Sequence, residues 1–183
     1  TVIKRLYVYV RQLSKPIMSS WISTISGSTN SYDFSATETA GIRLLTGNVV
    51  IGSVVTSFTI NIGSCFGSPS GSLTGYITNS AGTIKETSTN TITSFGAYTD
   101  ETFNFAGTHT ISANDQLVIA GNIGQTSAYV CIFSKDASTD STVYTGVRGN
   151  TTFARYPQVT VTYGDPPLSA GTRLPPPPIV VHF

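Results

Sequence analysis

Short runs in which apolar and polar residues alternate recur from residue 47 to residue 163, separated by clusters of Gly, Ser, Asn and Asp. No segment keeps a helical period for more than two turns. Since a period of two places successive side chains on opposite faces of a strand, the chain is predicted to be all-β. About nine strands at spacings near ten residues are typical of a two-sheet antiparallel β-sandwich, and the predicted topology is a jelly roll.

The alternation also assigns faces within single strands. The first strand of the core is predicted to carry on one face Val54, Thr56, Phe58, Ile60 and Ile62. The next run, residues 73–77, ends at the turn signal Asn79-Ser80-Ala81-Gly82, and residues 83–87 follow, which predicts a hairpin. Further along, Phe103 and Phe105 are predicted to point inward, and residues 117–119 are predicted to be apolar on both faces of their strand.

A chain of 183 residues is ordinarily one domain. Its composition divides it into four parts: an N-terminal strand (1–15), a bridge of strand and loop (16–46), the sandwich core (47–164) and a proline-rich C-terminal arm (165–183). The core part carries nearly all the alternating runs, so it is expected to form both sheets.

Both ends of the chain carry apolar segments of strand type, residues 2–13 and, after four prolines at 175–178, residues 179–183. An extended apolar end is held by pairing with an open sheet edge, on its own domain or on a neighbour. Four prolines in polyproline II geometry span about 12 Å, which makes the C-terminal arm a second candidate donor. The residues predicted to mediate self-assembly are Val2, Leu6, Tyr7, Val8, Tyr9, Val10, Ile179, Val180, Val181 and Phe183.

The surface is predicted to be rich in hydroxyl and amide groups. Charged residues make up 10% of the chain, against about 25% in an average soluble domain. A surface with so little charge repulsion suits a protein that packs against its own copies or lies outside the cell, with glycans. One N-glycosylation sequon begins at Asn150. If Thr1 is the natural terminus, a leader was removed and export is expected.

The charge distribution does not favour nucleic acid as a partner. Net charge is +1, although Lys4, Arg5, Arg11 and Lys15 precede the first acidic residue, Asp33. These cations alternate with aliphatic and aromatic residues, a pattern typical of an edge strand rather than of a nucleic-acid arm. No run approaches the roughly eighteen apolar residues of a membrane span, so none is predicted.

The sequence contains few residues of the types that form catalytic sites. The sequence contains no G-x-S-x-G elbow, no H-E-x-x-H helix and no phosphate-binding loop. We therefore predict no catalytic residue, no cofactor and no metal site, and expect that the protein is not an enzyme. The acidic pairs Asp100-Glu101 and Asp136 with Asp140 are interpreted as turn acids, with calcium ligation as the alternative.

Cys65 and Cys131 both lie in predicted strands. In an oxidising compartment they are candidates for a disulfide, and two buried free thiols are the alternative.

Several core and turn segments resemble jelly-roll domains of extracellular and virion proteins: residues 71–77, 82–84, 101–105 and 111–119. In addition, the strand-bearing ends are similar in character to archaeal filament subunits, threads and bundling pili, that join by donor-strand complementation. The resemblance implies a structural subunit of an extracellular, cell-surface filament whose partners are identical subunits. The alternatives are a virion capsid or decoration protein and a secreted carbohydrate-binding module, which would show a row of exposed aromatic side chains.

Overall fold

The computed structural model describes residues 17–34, 38–66, 70–94, 96–123 and 129–166, and within them all regular structure is β-strand. The predicted terminal assembly segments, residues 2–10 and 179–183, lie outside these ranges. The strands are β1 (Met18–Ile22), β2 (Ile25–Phe34), β3 (Thr39–Leu44), β4 (Val54–Phe66), β5 (Gly71–Thr78), β6 (Ile84–Ile92), β7 (Thr99–Asn104), β8 (Gln116–Ile123), β9 (Tyr129–Ser138), β10 (Tyr144–Arg148), β11 (Thr151–Phe153), β12 (Tyr156–Pro157) and β13 (Val159–Gly164).

These strands form two antiparallel sheets. The first sheet has the order β1-β13-β4-β9-β12, with β2 paired to β9 and β7 paired to β4. The second has the order β11-β10-β3-β8-β5-β6. The prediction of an all-β, two-sheet antiparallel sandwich is therefore confirmed. Residues 17–44 supply strands to both sheets, and β3 lies in the interior of the second sheet.

The core lies between the inner faces of the two sheets. Phe58 of β4 and Phe103 of β7 are cross-strand partners and are fully buried, and Phe105 is buried beside them. All three residues from Leu117 to Ile119 are buried as well. The inward orientation of Phe103 and Phe105 and the two-sided burial of residues 117–119 are thereby confirmed, and hydrophobic burial of this cluster is the dominant stabilising term.

The predicted inner face of β4 is correct only in its second half. Phe58, Ile60 and Ile62 are in the core, but Val55 takes the place predicted for Thr56. The register with β13 shifts here, because Thr162 pairs with Ser57 while Tyr163 pairs with Val55. One extra residue in a strand reverses the facing of everything before it, so a β-bulge at Thr56 makes the prediction wrong there.

The predicted hairpin is confirmed as β5 and β6. The Asn79 side-chain oxygen accepts hydrogen bonds from the backbone N–H groups of Ala81 (3.1 Å) and Thr83 (2.9 Å). Gly82 has a φ of +85°, a conformation that glycine adopts without steric cost. The turn is therefore specified by its own side chains.

Gly75 of β5 allows the two sheets to approach closely. A Cβ atom at this position would lie 2.7 Å from Cβ and 2.8 Å from Cγ of Phe103 on the opposite sheet. The absence of a side chain at Gly75 is thus what makes room for the Phe103 ring in the core.

We predict that Gly75→Ala lowers the free energy of unfolding by about 1–3 kcal/mol, the usual cost of overpacking. Denaturant unfolding measures the loss. The matched control is Gly75→Ala combined with Phe103→Leu, where the smaller side chain relieves the clash. A double mutant as unstable as the sum of the two single mutants would contradict the contact.

Candidate functional site: the two margins of the sandwich

The two sheets meet along one margin at β6 and β7, and β6 is irregular there. Thr74 pairs with Thr91 and Tyr76 pairs with Thr87, so residues 88–90 of β6 oppose the single residue Gly75. The Ser88 hydroxyl accepts a hydrogen bond from the Gly75 N–H (3.0 Å) and lies 2.7 Å from the Asn90 carbonyl oxygen, to which it donates. The bulge takes residues 88–90 out of the β5 ladder and brings two of them to β7, and pairing with β5 resumes at Thr91.

Two of those residues cap the free edge of β7. The Asn90 side-chain oxygen accepts a hydrogen bond from the Asn104 N–H (2.7 Å), and its side-chain nitrogen donates to the Thr102 carbonyl (2.9 Å). The Thr89 hydroxyl donates to the Asn104 carbonyl (3.2 Å). Three of the backbone groups that β7 would offer to a further strand, the Thr102 carbonyl and both groups of Asn104, are thus bound by side chains of β6.

A buried carboxylate closes the same margin further along. Glu86 is only 7% exposed, and its two oxygens accept hydrogen bonds from three consecutive backbone N–H groups. The distances are 2.9 Å to Gly107, 3.1 and 3.3 Å to Thr108 and 3.0 Å to His109. Charge-assisted bonds of this kind are among the stronger ones in proteins, so Glu86 fixes the loop that follows β7.

The opposite margin is formed by β1 and β2, which are separated by only two residues. β1 pairs with β13 and β2 pairs with β9, so residues 18–34 run along one side of the first sheet. Asp140 and Asp136 hold this strand in place by accepting hydrogen bonds from the N–H groups of Thr24 (2.7 Å) and Ser28 (2.8 Å). Within the described ranges no strand pairs with its outer side.

The hydrogen-bond alternation of β1 shows which backbone groups face outward. Ser23 donates from its N–H to the Val159 carbonyl (3.0 Å), which makes this pair a hydrogen-bonded one. Because hydrogen-bonded and non-hydrogen-bonded pairs alternate in an antiparallel ladder, Trp21 and Ser19 also bond to β13. The backbone N–H groups of Ser20 and Ile22 therefore point to the free edge.

This edge carries exposed apolar side chains. Ile17 is 76%, Met18 46% and Ile22 63% exposed. In contrast, the Trp21 ring on the other face of β1 packs edge-on against Tyr144, with ring centroids 5.2 Å apart. Burial is the main cause that raises the pKa of Tyr144 above its ordinary value. β1 is therefore anchored to the core on one face while its edge and outer face remain open.

The two cysteines lie on neighbouring strands but on opposite faces of the sheet. Cys65 packs against the core, whereas Cys131 precedes the core residue Ile132 and so points the other way. Both are free thiols in the structure, Cys131 buried and Cys65 half-buried, and a disulfide between them in an oxidising compartment stays a prediction. Burial, and then the nearby Cys131 thiol and Glu101 carboxylate, raise the pKa of the Cys65 thiol.

We predict that native protein reacts with Ellman's reagent at pH 8 more slowly than free cysteine does, because the raised pKa leaves less Cys65 thiolate. The rate should keep rising with pH above about 8.5, the ordinary thiol pKa. In denaturant without reductant, both thiols should titrate at once. A preparation that releases no colour in denaturant would show a disulfide instead.

The sequon asparagine lies where two turns of the second sheet meet. Asn150 is exposed between β10 and β11, and its side-chain nitrogen donates to the Ala81 carbonyl (3.3 Å). Arg43 donates to the carbonyls of Asn150 (2.9 Å) and Ser80 (3.4 Å), which ties both turns over the sheet. Glycosylation of Asn150 stays a prediction.

The remaining ionisable side chains of interest hold loops. His109 Nε2 lies 2.8 Å from Asp115 Oδ2, and the same oxygen accepts the Ser112 N–H at 2.8 Å. Asp100 accepts a hydrogen bond from the Asn61 side chain at 2.7 Å. No group of three or more His, Cys, Asp or Glu side chains positioned to hold a metal ion occurs in the ranges that the structure covers.

Comparison of the chain with protein-family models, curated proteins and solved structures finds no match. In the described part of the chain, no helix is long and apolar enough to cross a membrane. The margin residues Glu86, Ser88 and Asn90 were not predicted as site residues, because nothing in a Ser/Thr-rich strand distinguishes an edge-capping side chain from a solvated one.

Proposed function

We propose that this protein is a structural subunit of an extracellular filament, and that residues 2–13 of one subunit add as a strand to the β1–β2 edge of the next. The observation that carries the proposal is the contrast between the margins. Neither edge has a strand partner on its outer side within the described ranges. Side chains of β6 bind outward backbone groups in the middle of β7, whereas the side-chain hydrogen bonds along residues 18–34 lie at residues 24–30 and leave the β1 part of that edge open. Open edges of this kind are the usual acceptors of added strands.

The dimensions of donor and acceptor agree. Twelve residues, 2–13, extend about 40 Å at about 3.3 Å per residue. The acceptor edge, residues 18–34, contains 17 residues, so it is long enough to pair with the whole donor. Backbone hydrogen bonds along the added strand would give affinity, and alternate side chains of the donor would cover the exposed apolar residues of β1.

The energetic gain lies in burial of the donor's apolar side chains. Leu6, Val8 and Val10 share one face of the donor, and Tyr7 and Tyr9 share the other. Burial of each aliphatic side chain is worth about 1.5–3 kcal/mol. A head-to-tail contact between different surfaces does not close on itself, so it generates a filament. The low charge content of the surface fits dense packing of copies.

Deletion of residues 1–13 should abolish polymerisation, because the donor strand is then missing. Negative-stain electron microscopy and sedimentation of the assembled material measure the outcome. Deletion of residues 179–183 is the matched control and should leave filaments intact. If filaments form without residues 1–13 but not without residues 179–183, the donor is the C-terminal arm. Shells of icosahedral symmetry would favour the virion alternative.

Ser20→Pro should block assembly while the subunit stays folded. Proline removes an N–H that faces the free edge and leaves the ladder to β13 intact. Ser20→Ala keeps the N–H and is the control that should assemble normally. Thermal unfolding checks that both variants fold. Normal filaments from folded Ser20→Pro protein would refute the β1–β2 acceptor edge.

A further inference from the structure

We infer that Asn90 blocks the β7 edge against strand addition and thereby leaves β1–β2 as the acceptor edge of the first sheet. The inference rests on the proposed function and names a specificity-determining residue for it. The partner that Asn90 excludes is residues 2–13 of a second copy of this chain.

The side-chain amide of Asn90 makes the two hydrogen bonds that a backbone peptide group of an added strand would make. Its side-chain amide donates to the carbonyl of Thr102 and accepts from the N–H of Asn104, two residues further along β7. In a parallel ladder, the N–H and C=O of one residue bond to groups two residues apart on the neighbouring strand. The Asn90 amide therefore occupies the position that an incoming backbone would need.

The neighbouring contacts extend this block. Thr89 binds the Asn104 carbonyl, and Glu86 binds the backbone of residues 107–109 just after β7. At the other end of β7, the Thr99 hydroxyl donates to the Gly96 carbonyl (2.7 Å) and so ties the strand's start to the preceding turn. Only residues 99–101 of β7 remain able to pair with an added strand, and three residues are too few for a stable pairing.

Without this block, β7 would be a second acceptor. Its residues are mostly exposed, and it pairs along one side only, with β4. A subunit with two acceptor edges could receive two donor strands, and the polymer would branch or associate laterally. In the first sheet, one capped and one open edge leave a single acceptor, β1–β2, which is the arrangement that an unbranched filament requires.

The test uses the full chain, refolded from denaturant with an excess of a synthetic peptide of residues 2–13 that carries a photo-crosslinker in place of Tyr9. In the wild type, we expect the peptide to label residues 17–34 and not residues 99–104. In Asn90→Ala, we expect new labelling of residues 99–104 together with branched or bundled filaments. Thr91→Ala, an exposed neighbour on the same strand, should behave as the wild type.

Amide hydrogen exchange provides a readout independent of assembly. Exchange at the Asn104 N–H should be about tenfold faster in Asn90→Ala than in the wild type, because its acceptor has been removed. Amides of β4 and β13 should be unchanged, which shows that the variant folds.

The outcomes separate the two proposals. Labelling of residues 17–34 in both proteins, with none on β7 in Asn90→Ala, would overturn the role of Asn90 and leave the proposed function standing. Labelling of β7 in the wild type would also overturn the role of Asn90. Labelling of β7 only in Asn90→Ala, with none on residues 17–34 in either protein, would support Asn90 as the block and refute the β1–β2 acceptor.

Discussion

A strand at the side of a sheet presents a row of backbone N–H and C=O groups that need partners, and this requirement organises both margins of the sandwich. At the β6–β7 margin, side chains supply the partners. Asn90 binds the backbone on both sides of Phe103, and Glu86 binds three successive amides beyond it. At the β1–β2 margin, Asp140 and Asp136 bind the N–H groups of Thr24 and Ser28 between and within the strands, but no strand of the described ranges pairs with the outer side. The asymmetry between these margins is the basis for the proposed direction of assembly.

The closed margin depends in turn on packing in the core. Gly75 leaves the space that the Phe103 ring fills, and the same residue faces the bulge in β6. Ser88 completes the hydrogen bonding of the Gly75 N–H, so the bulge leaves that donor satisfied. The edge cap and the inter-sheet contact are therefore built at one position, and a change at Gly75 is expected to disturb both.

Sequence periodicity predicted the large features correctly and failed where strands are irregular. The hairpin of β5 and β6 was predictable because Asn79 and Gly82 specify its turn locally. The inner face of β4 was predicted wrongly at Thr56, because a bulge changes the alternation and leaves no mark in the residue types. The separation of Cys65 and Cys131 onto opposite faces depends on the register of β4 against β9, which sequence alone does not give. Asn90 was missed for the same reason, since its role depends on how another strand lies beside it.

The sequence by itself determined the all-β class, the hairpin turn, the core positions of Phe58, Phe103 and Phe105 and the presence of apolar terminal segments. These follow from local rules: a side-chain period of two, turn residues with fixed backbone preferences, and the cost of exposing large apolar groups. Only the tertiary structure decided which sheet edge is capped and which is open. That distinction arises from contacts such as Asn90 to Thr102 and Glu86 to residues 107–109, which join segments that no local pattern links. Backbone groups are the same in every residue, so only their spatial neighbours determine whether they are satisfied.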